Sequence, residues 1–200
     1  MTERLSKAFF QGGDVVAIAA ELIGCRLRVR GVDGSLSGGR ITEAEAYSGR
    51  NDRACHSFGG KRTPRNEVMY GPGGHVYSYL CYGIHVLLNI VTNQAEHADG
   101  VLIRAIEPDL GVEHMLQRRG FERLEPSLCA GPGRVSQALA LDMSFLGEPV
   151  DGVRLWLEPP QEPVSVASGP RVGVDFAGAD AALPWRFAEA GSRWVSRPRL

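Results

Sequence analysis

Apolar residues recur along the chain first at helical and then at strand spacing. Val15, Ile18, Ala19 and Leu22 fall on one helical stripe, Asp14 stands where an N-cap belongs, and Gly24 where the helix must stop. Upstream, Phe9 and Phe10 are placed to anchor the N-terminal segment. Downstream, Cys25, Leu27 and Val29 alternate with Arg26, Arg28 and Arg30, the pattern of a strand with one wet face. Gly31 to Gly34 and Gly38-Gly39 predict turns leading into a second strand, Arg40 to Tyr47, antiparallel to the first.

That second strand has an odd pattern. Alternation puts Ile41, Glu43, Glu45 and Tyr47 on one face and Thr42, Ala44 and Ala46 on the other. Taken alone it fits a solvent-facing edge with alanines packed beneath, and only the rest of the chain gives the carboxylates a use. From Ser48 to Gly74 periodicity is lost. A connection of that length is functional or disordered, and His56, Phe58, Met69 and Tyr70 argue against disorder. Its charges, Arg50, Arg53, Lys61, Arg62 and Arg65 against Asp52 and Glu67, fit either a solvated surface or contact with phosphates.

His75 to Leu80 and His85 to Val91 predict a hairpin with Tyr82 at its tip, either folded back on the domain or awaiting a partner. Gly100 to Ile106 is an apolar strand in which Arg104 either reaches water or is directed into a site. Gly111 to Arg119 reads as a helix closed by Gly120. Gly131-Pro132-Gly133 feeds a second helix from Val135 to Ala140, an end whose free amides suit an anion. Val153 to Leu157 and Ser165 to Val174 predict two more strands, with Trp185, Phe187, Trp194 and Val195 packing the C-terminal tail.

Composition narrows the classes. Two hundred residues at 44% hydrophobic content suit one domain over residues 1–200. A net charge of −1 leaves no global basic field, so a nucleic-acid partner would be held by a local patch. The cations are arginines except Lys7 and Lys61, and Arg suits bidentate phosphate contacts. Cys25, Cys55, Cys81 and Cys129 form no C-x-x-C pair and no signal peptide is evident, so a reducing cytoplasmic setting is expected. No apolar run approaches the roughly 20 residues of a membrane span. Cys81 and His85 are four apart, with Cys55, His56 and His75 also available to a metal, but without a paired-cysteine or H-E-x-x-H motif no metal and no cofactor is expected.

Aromatics able to stack a flat ring, a carboxylate able to activate water and a protruding wedge are what base-flipping chemistry asks for. The stretches Glu43-Ala44-Glu45-Ala46-Tyr47, Ala54-Cys55-His56-Ser57, Gly60 to Asn66, Val76 to Gly83, Leu102 to Pro108 and Arg171-Val172-Gly173-Val174 resemble the alkyladenine, or methylpurine, DNA glycosylase family over nearly the whole chain. The resemblance implies an α+β fold: a single domain with a curved, mainly antiparallel sheet and peripheral helices. It implies a monofunctional, monomeric enzyme acting on duplex DNA that carries damaged purines such as 3-methyladenine, 7-methylguanine, hypoxanthine or ethenoadenine, nucleoid-associated if bacterial. Glu45 matches the family's general base, with Arg104 and His56 positioning water or base. Tyr47, His56 and Leu102 match one side of a base pocket and Tyr79 its opposite wall; Asn89 matches the side chain that crowds the amine of normal guanine. Tyr82 matches the wedge that fills the vacated duplex position, and Lys61, Thr63, Arg65, Gly131 and Arg134 match positions near phosphates. Arg50, Gly71-Pro72-Gly73, the Thr92 to Asp99 connection and Ile84-His85 depart from the family pattern. A noncatalytic damage-binding module is the alternative, and it would have no use for a buried carboxylate facing DNA.

Overall fold

Asp14 accepts hydrogen bonds from the amides of Val16 and Ala17 at 2.9 and 3.0 Å, satisfying donors at the start of a helix. A cap of this kind contributes about 1 kcal/mol. The computed structural model describes residues 3–200 and contains four short helices: α1 (Lys7–Phe10), α2 (Val15–Glu21), α3 (Val112–Arg119) and α4 (Pro132–Ala138). They flank one antiparallel sheet made of β1 (Arg26–Arg30), β2 (Leu36–Tyr47), β3 (Val76–Cys81), β4 (His85–Thr92), β5 (Asp99–Leu110), β6 (Leu155–Glu158), β7 (Val166–Gly169) and β8 (Arg186–Glu189). The fold is α+β, as expected.

The sheet runs β3-β4-β5-β2-β1-β6, with β8 also on β2 and β7 on β8. Strand β2 therefore forks: Leu36 to Arg40 pair with β1, whereas Glu43 to Glu45 pair with β8. The fork lies at an irregularity, where the register against β5 shifts between Ile41 and Glu43 and again between Glu43 and Ala44. Such a bulge resets which side successive residues face. Ile41 accordingly packs in the main core with Ala44 and Ala46, not beside Glu43 and Glu45 as strict alternation predicts. Nor is β2 an edge: it is central, and both glutamates are fully buried.

Gly38 and Gly39 lie within β2 rather than in a turn. A Cβ on either would stand 2.3 Å from the Leu27 carbonyl oxygen or 2.4 Å from that of Glu107, so glycine here permits close strand approach. Arg28 does not project into water. It pairs with Glu158 at 3.1 Å and with Asp109, which permits its burial. Of the expected Ser165 to Val174 strand only β7 forms, because Pro170 offers no amide to a ladder. Strand β8 was not expected and takes the place of loose tail packing.

The main core fills one side of the sheet, between β1, β2, β5 and the helices. On the other side, the Ser48 to Gly74 segment packs Cys55, Met69 and Tyr70 against Tyr77, Val91 and Ala98. This second side holds the site. Among the described residues no helix is long and apolar enough to cross a membrane.

Candidate active site

Directly paired residues of neighbouring strands point to the same face. One transverse row of the sheet reads Tyr77, Asn89, Leu102, Glu45 and Arg186, from β3 through β4, β5 and β2 to β8. Two residues along their strands from this row lie Tyr79, Tyr47, Arg104 and Glu43. Sheet geometry alone thus assembles most of the expected site from segments up to 59 residues apart.

Above this face opens a cavity of about 490 Å³, the size of a small-molecule pocket. Tyr47, His56, Tyr79, Asn89, Leu102, Arg104, Arg65 and Tyr82 line it, all of them expected; Tyr77, Pro132, Val172 to Val174 and Phe176 line it too and had no assigned role. Glu45 lies just beneath. Its Oε2 accepts from the Tyr47 hydroxyl at 2.8 Å and from Arg104 Nη1 at 3.2 Å, and its Oε1 accepts from the Val172 amide at 2.8 Å. All three donors belong to cavity-lining residues.

Glu43 has a different environment. It accepts from Arg104 Nε at 2.8 Å, Arg186 Nε at 2.7 Å, and the Ser196 amide and hydroxyl at 2.6 and 2.8 Å. Burial alone pushes its carboxyl up, but Arg104, the Ser196 amide and Arg186 together hold it below the usual carboxylate range. Arg104 bridges the two acids, so it is directed into the site rather than out to water. The bulge separates their work: Glu43 anchors Arg104, and Arg104 orients Glu45.

His56 is placed differently from expectation. Its Nδ1 sits 2.8 Å from the Tyr77 hydroxyl, and it bonds to neither Glu45 nor Arg104. Burial, then the charges of Arg65 and Lys61, lower its pKa, whereas burial raises the Tyr77 phenol to about 12. The phenol therefore keeps its proton and the imidazole is neutral. His56 also meets Tyr79 edge-on, with ring centroids 4.7 Å apart and planes at 76°. A purine stacked between two rings needs about 7 Å, two van der Waals contacts, so His56 and Tyr79 are not facing walls here. His56 stands at the rim.

The Tyr47 phenol is held well above its ordinary range by burial and by the Glu45 charge, and stays a donor. Asn89 is buried, its Nδ2 donating to the Tyr77 carbonyl at 3.1 Å. Tyr82, at the hairpin tip, has a φ of 49° and is 93% exposed, so the tip does not fold back. Beside the mouth, Asn66 organises the loop: its Oδ1 accepts from the Thr63 amide at 2.7 Å, and its Nδ2 donates to the Lys61 carbonyl at 2.8 Å. Among the described residues Lys61, Arg65 and Arg134 form no ion pair, whereas Arg62 is engaged by Glu67 and Glu96. Arg65 also covers the Tyr79 ring at 5.1 Å. The Gly131 amide is not free for an anion, because it donates to the Arg104 carbonyl at 2.9 Å. Arg134 reaches back to the Ala130 carbonyl from the same corner. Among the described residues no cluster of His, Cys, Asp and Glu could hold a metal.

A buried carboxylate held by three donors under an open cavity with aromatic lining, with cations and an exposed aromatic at its mouth, is an arrangement suited to hydrolysis of a bound flat ring. Comparison with known proteins agrees with it. The family model for methylpurine-DNA glycosylase matches residues 8–193. A provisionally named 3-methyladenine DNA glycosylase of Nitrosospira multiformis is 49% identical over 92% of this chain and 89% of its own length. Proteins with the same name from Desulfitobacterium hafniense and Chlamydia pneumoniae are 41% and 39% identical, covering 97% and 92% of this chain and 98% and 93% of theirs. The chain therefore belongs to the methylpurine-DNA glycosylase family.

Proposed function

We propose that this DNA glycosylase takes an alkylated or deaminated purine, swung out of duplex DNA, into the cavity beside Tyr47 and Tyr79 and hydrolyses its N-glycosidic bond with a water activated by Glu45. The observation that carries this reading is the bonding of Glu45. A carboxylate offers about four lone-pair positions, and Tyr47, Arg104 and Val172 take three, leaving one on Oε1 for a water hydrogen. As the water oxygen bonds to C1′, its proton passes to Glu45, and the C1′–N pair leaves with the purine. An N3- or N7-alkylated purine is cationic and departs neutral without further help; hypoxanthine or ethenoadenine needs a proton. The carboxylate also offsets the positive charge that builds on the sugar.

In this reading Tyr47 and Tyr79 stack the base, Leu102 is its apolar contact and Asn89 crowds the extra amine of normal guanine. His56, neutral, offers a hydrogen bond at the base edge. Tyr82 enters the duplex where the nucleotide left. Lys61, Thr63, Arg65 and Arg134 follow the phosphates, Gly131 holds their corner through the Arg104 carbonyl, and the protein works as a monomer. Incubating the protein with a duplex bearing one 3-methyladenine-type lesion, with EDTA present, and then treating with hot alkali yields strand breaks at the lesion. Intact strands at high protein excess would overturn the reading.

A further inference from the structure

Arg171 lines no part of the cavity and touches no expected site residue by hydrogen bond to its side chain. Yet its guanidinium lies over two aromatic rings, 4.8 Å from the centroid of Tyr47 and 5.2 Å from that of Trp185. It donates to the Ala46 carbonyl at 2.9 Å, immediately before Tyr47, and to the Asp180 carbonyl at 3.1 Å. Asp52 receives it bidentately, Nη2 to Oδ1 at 2.8 Å and Nη1 to Oδ2, and both side chains are fully buried. The next residue, Val172, supplies the amide that reaches Glu45 Oε1. Two of the three donors to Glu45 thus depend on one guanidinium: Tyr47 through its ring and its preceding carbonyl, Val172 through the backbone.

Asp52 extends the connection. Its Oδ1 accepts from the Ala54 amide at 2.9 Å, so the same pair fixes the start of the Ser48 to Gly74 segment, two residues before His56. Arg171 Nε, by contrast, has no acceptor among the described residues. A buried donor left unpaired is unfavourable, and the placement over the two rings is kept despite it.

We propose that Arg171, with Asp52 as its counter-ion, is a positioning residue for base release: it holds Tyr47 and the Val172 amide at hydrogen-bonding distance from Glu45. This deepens the hydrolytic reading of the same site and rests on it. Only arginine serves, because a lysine ammonium cannot bond bidentately to Asp52 while also reaching the Ala46 and Asp180 carbonyls. A small displacement of Tyr47 and Val172 turns Glu45 away from the attacking water, and misplacement of that kind can cost about 10²-fold in rate.

The test uses Arg171→Lys and the near-isosteric Asp52→Asn in the full chain. Titration with a duplex carrying an abasic-site analogue counts the binding-competent molecules of each protein. Single-turnover base release from a lesion duplex at saturating protein then gives a rate per competent molecule. For Arg171→Lys the expected result is a rate about 10²-fold below the parent, and for Asp52→Asn about tenfold below, with abasic-duplex affinity within roughly threefold. A merely structural role would reduce the competent fraction and leave the rate per competent molecule unchanged, which would overturn the proposal. An inert parent would overturn the hydrolytic reading and this inference with it; an active parent with undiminished variants would overturn this inference alone.

Discussion

Tyr47 donates its phenolic hydrogen to Glu45 at 2.8 Å from two positions further along the same strand. Residues that far apart share a face, and here the shared face is the cavity floor. One side chain therefore both lines the cavity and donates to the acid beneath, and a substitution can separate the two roles.

Tyr47→Phe keeps the ring and removes the donor. A hydrogen bond to a charged group contributes about 1.5–3 kcal/mol, so base release falls roughly ten- to hundredfold while lesion-duplex affinity changes little. Burial and the Glu45 charge keep the parent phenol protonated well into the alkaline range, so the loss is the same at pH 6 and pH 9. Pre-steady-state rates at the two values check this; a loss that disappears at pH 9 would contradict it.

Glu43 stabilises rather than reacts. Glu43→Gln leaves Arg104 and Arg186 without their shared counter-charge, and breaking a buried pair in this way costs about 3–5 kcal/mol. Because the folded carboxyl lies below its unfolded value, its stabilisation is present above the ordinary carboxylate range and lost as pH falls through that range towards the folded pKa. Thermal melts from pH 7 to pH 3 would show a steeper acid loss in the parent than in the variant. Parallel curves would remove Glu43 from this role.

Tyr82 is so exposed that its removal leaves stability unchanged. Tyr82→Ala lowers base release from duplex DNA about tenfold or more, since unstacking a base pair costs a few kcal/mol that the wedge helps to offset. Release from a single-stranded lesion is unaffected. Equal rates for parent and variant on duplex would make Tyr82 ordinary surface.

Much of this was legible along the chain. Asp14 and Gly24 bracket α2 because cap chemistry is local, and Tyr82 is found at a hairpin tip because turn and alternation are local too. The phase of Ile41 was not legible, since a bulge arises from how β2 meets β5 rather than from β2 alone. Gly38 and Gly39 read as a turn because the sequence gives no sign of the backbone that approaches them. The same limit applies at the site. Glu45, Tyr47 and Arg104 are marked by their motifs, but the Ser196 bonds that fix Glu43 and the Val172 amide on Glu45 span 153 and 127 residues. His56 was marked and its position was not, because its placement depends on how its loop meets Tyr77 and Tyr79 on β3.

In the proposed reaction Glu45 activates the water that cleaves the glycosidic bond, and Glu45→Gln isolates that role. Glutamine keeps the size and accepts hydrogen bonds through one oxygen, but cannot take a proton from water. Single-turnover release of a methylated purine from duplex DNA is predicted to fall about 10²- to 10⁴-fold, the usual contribution of a general base, with lesion binding retained. A Glu45→Gln protein releasing base at the parent rate would contradict the account.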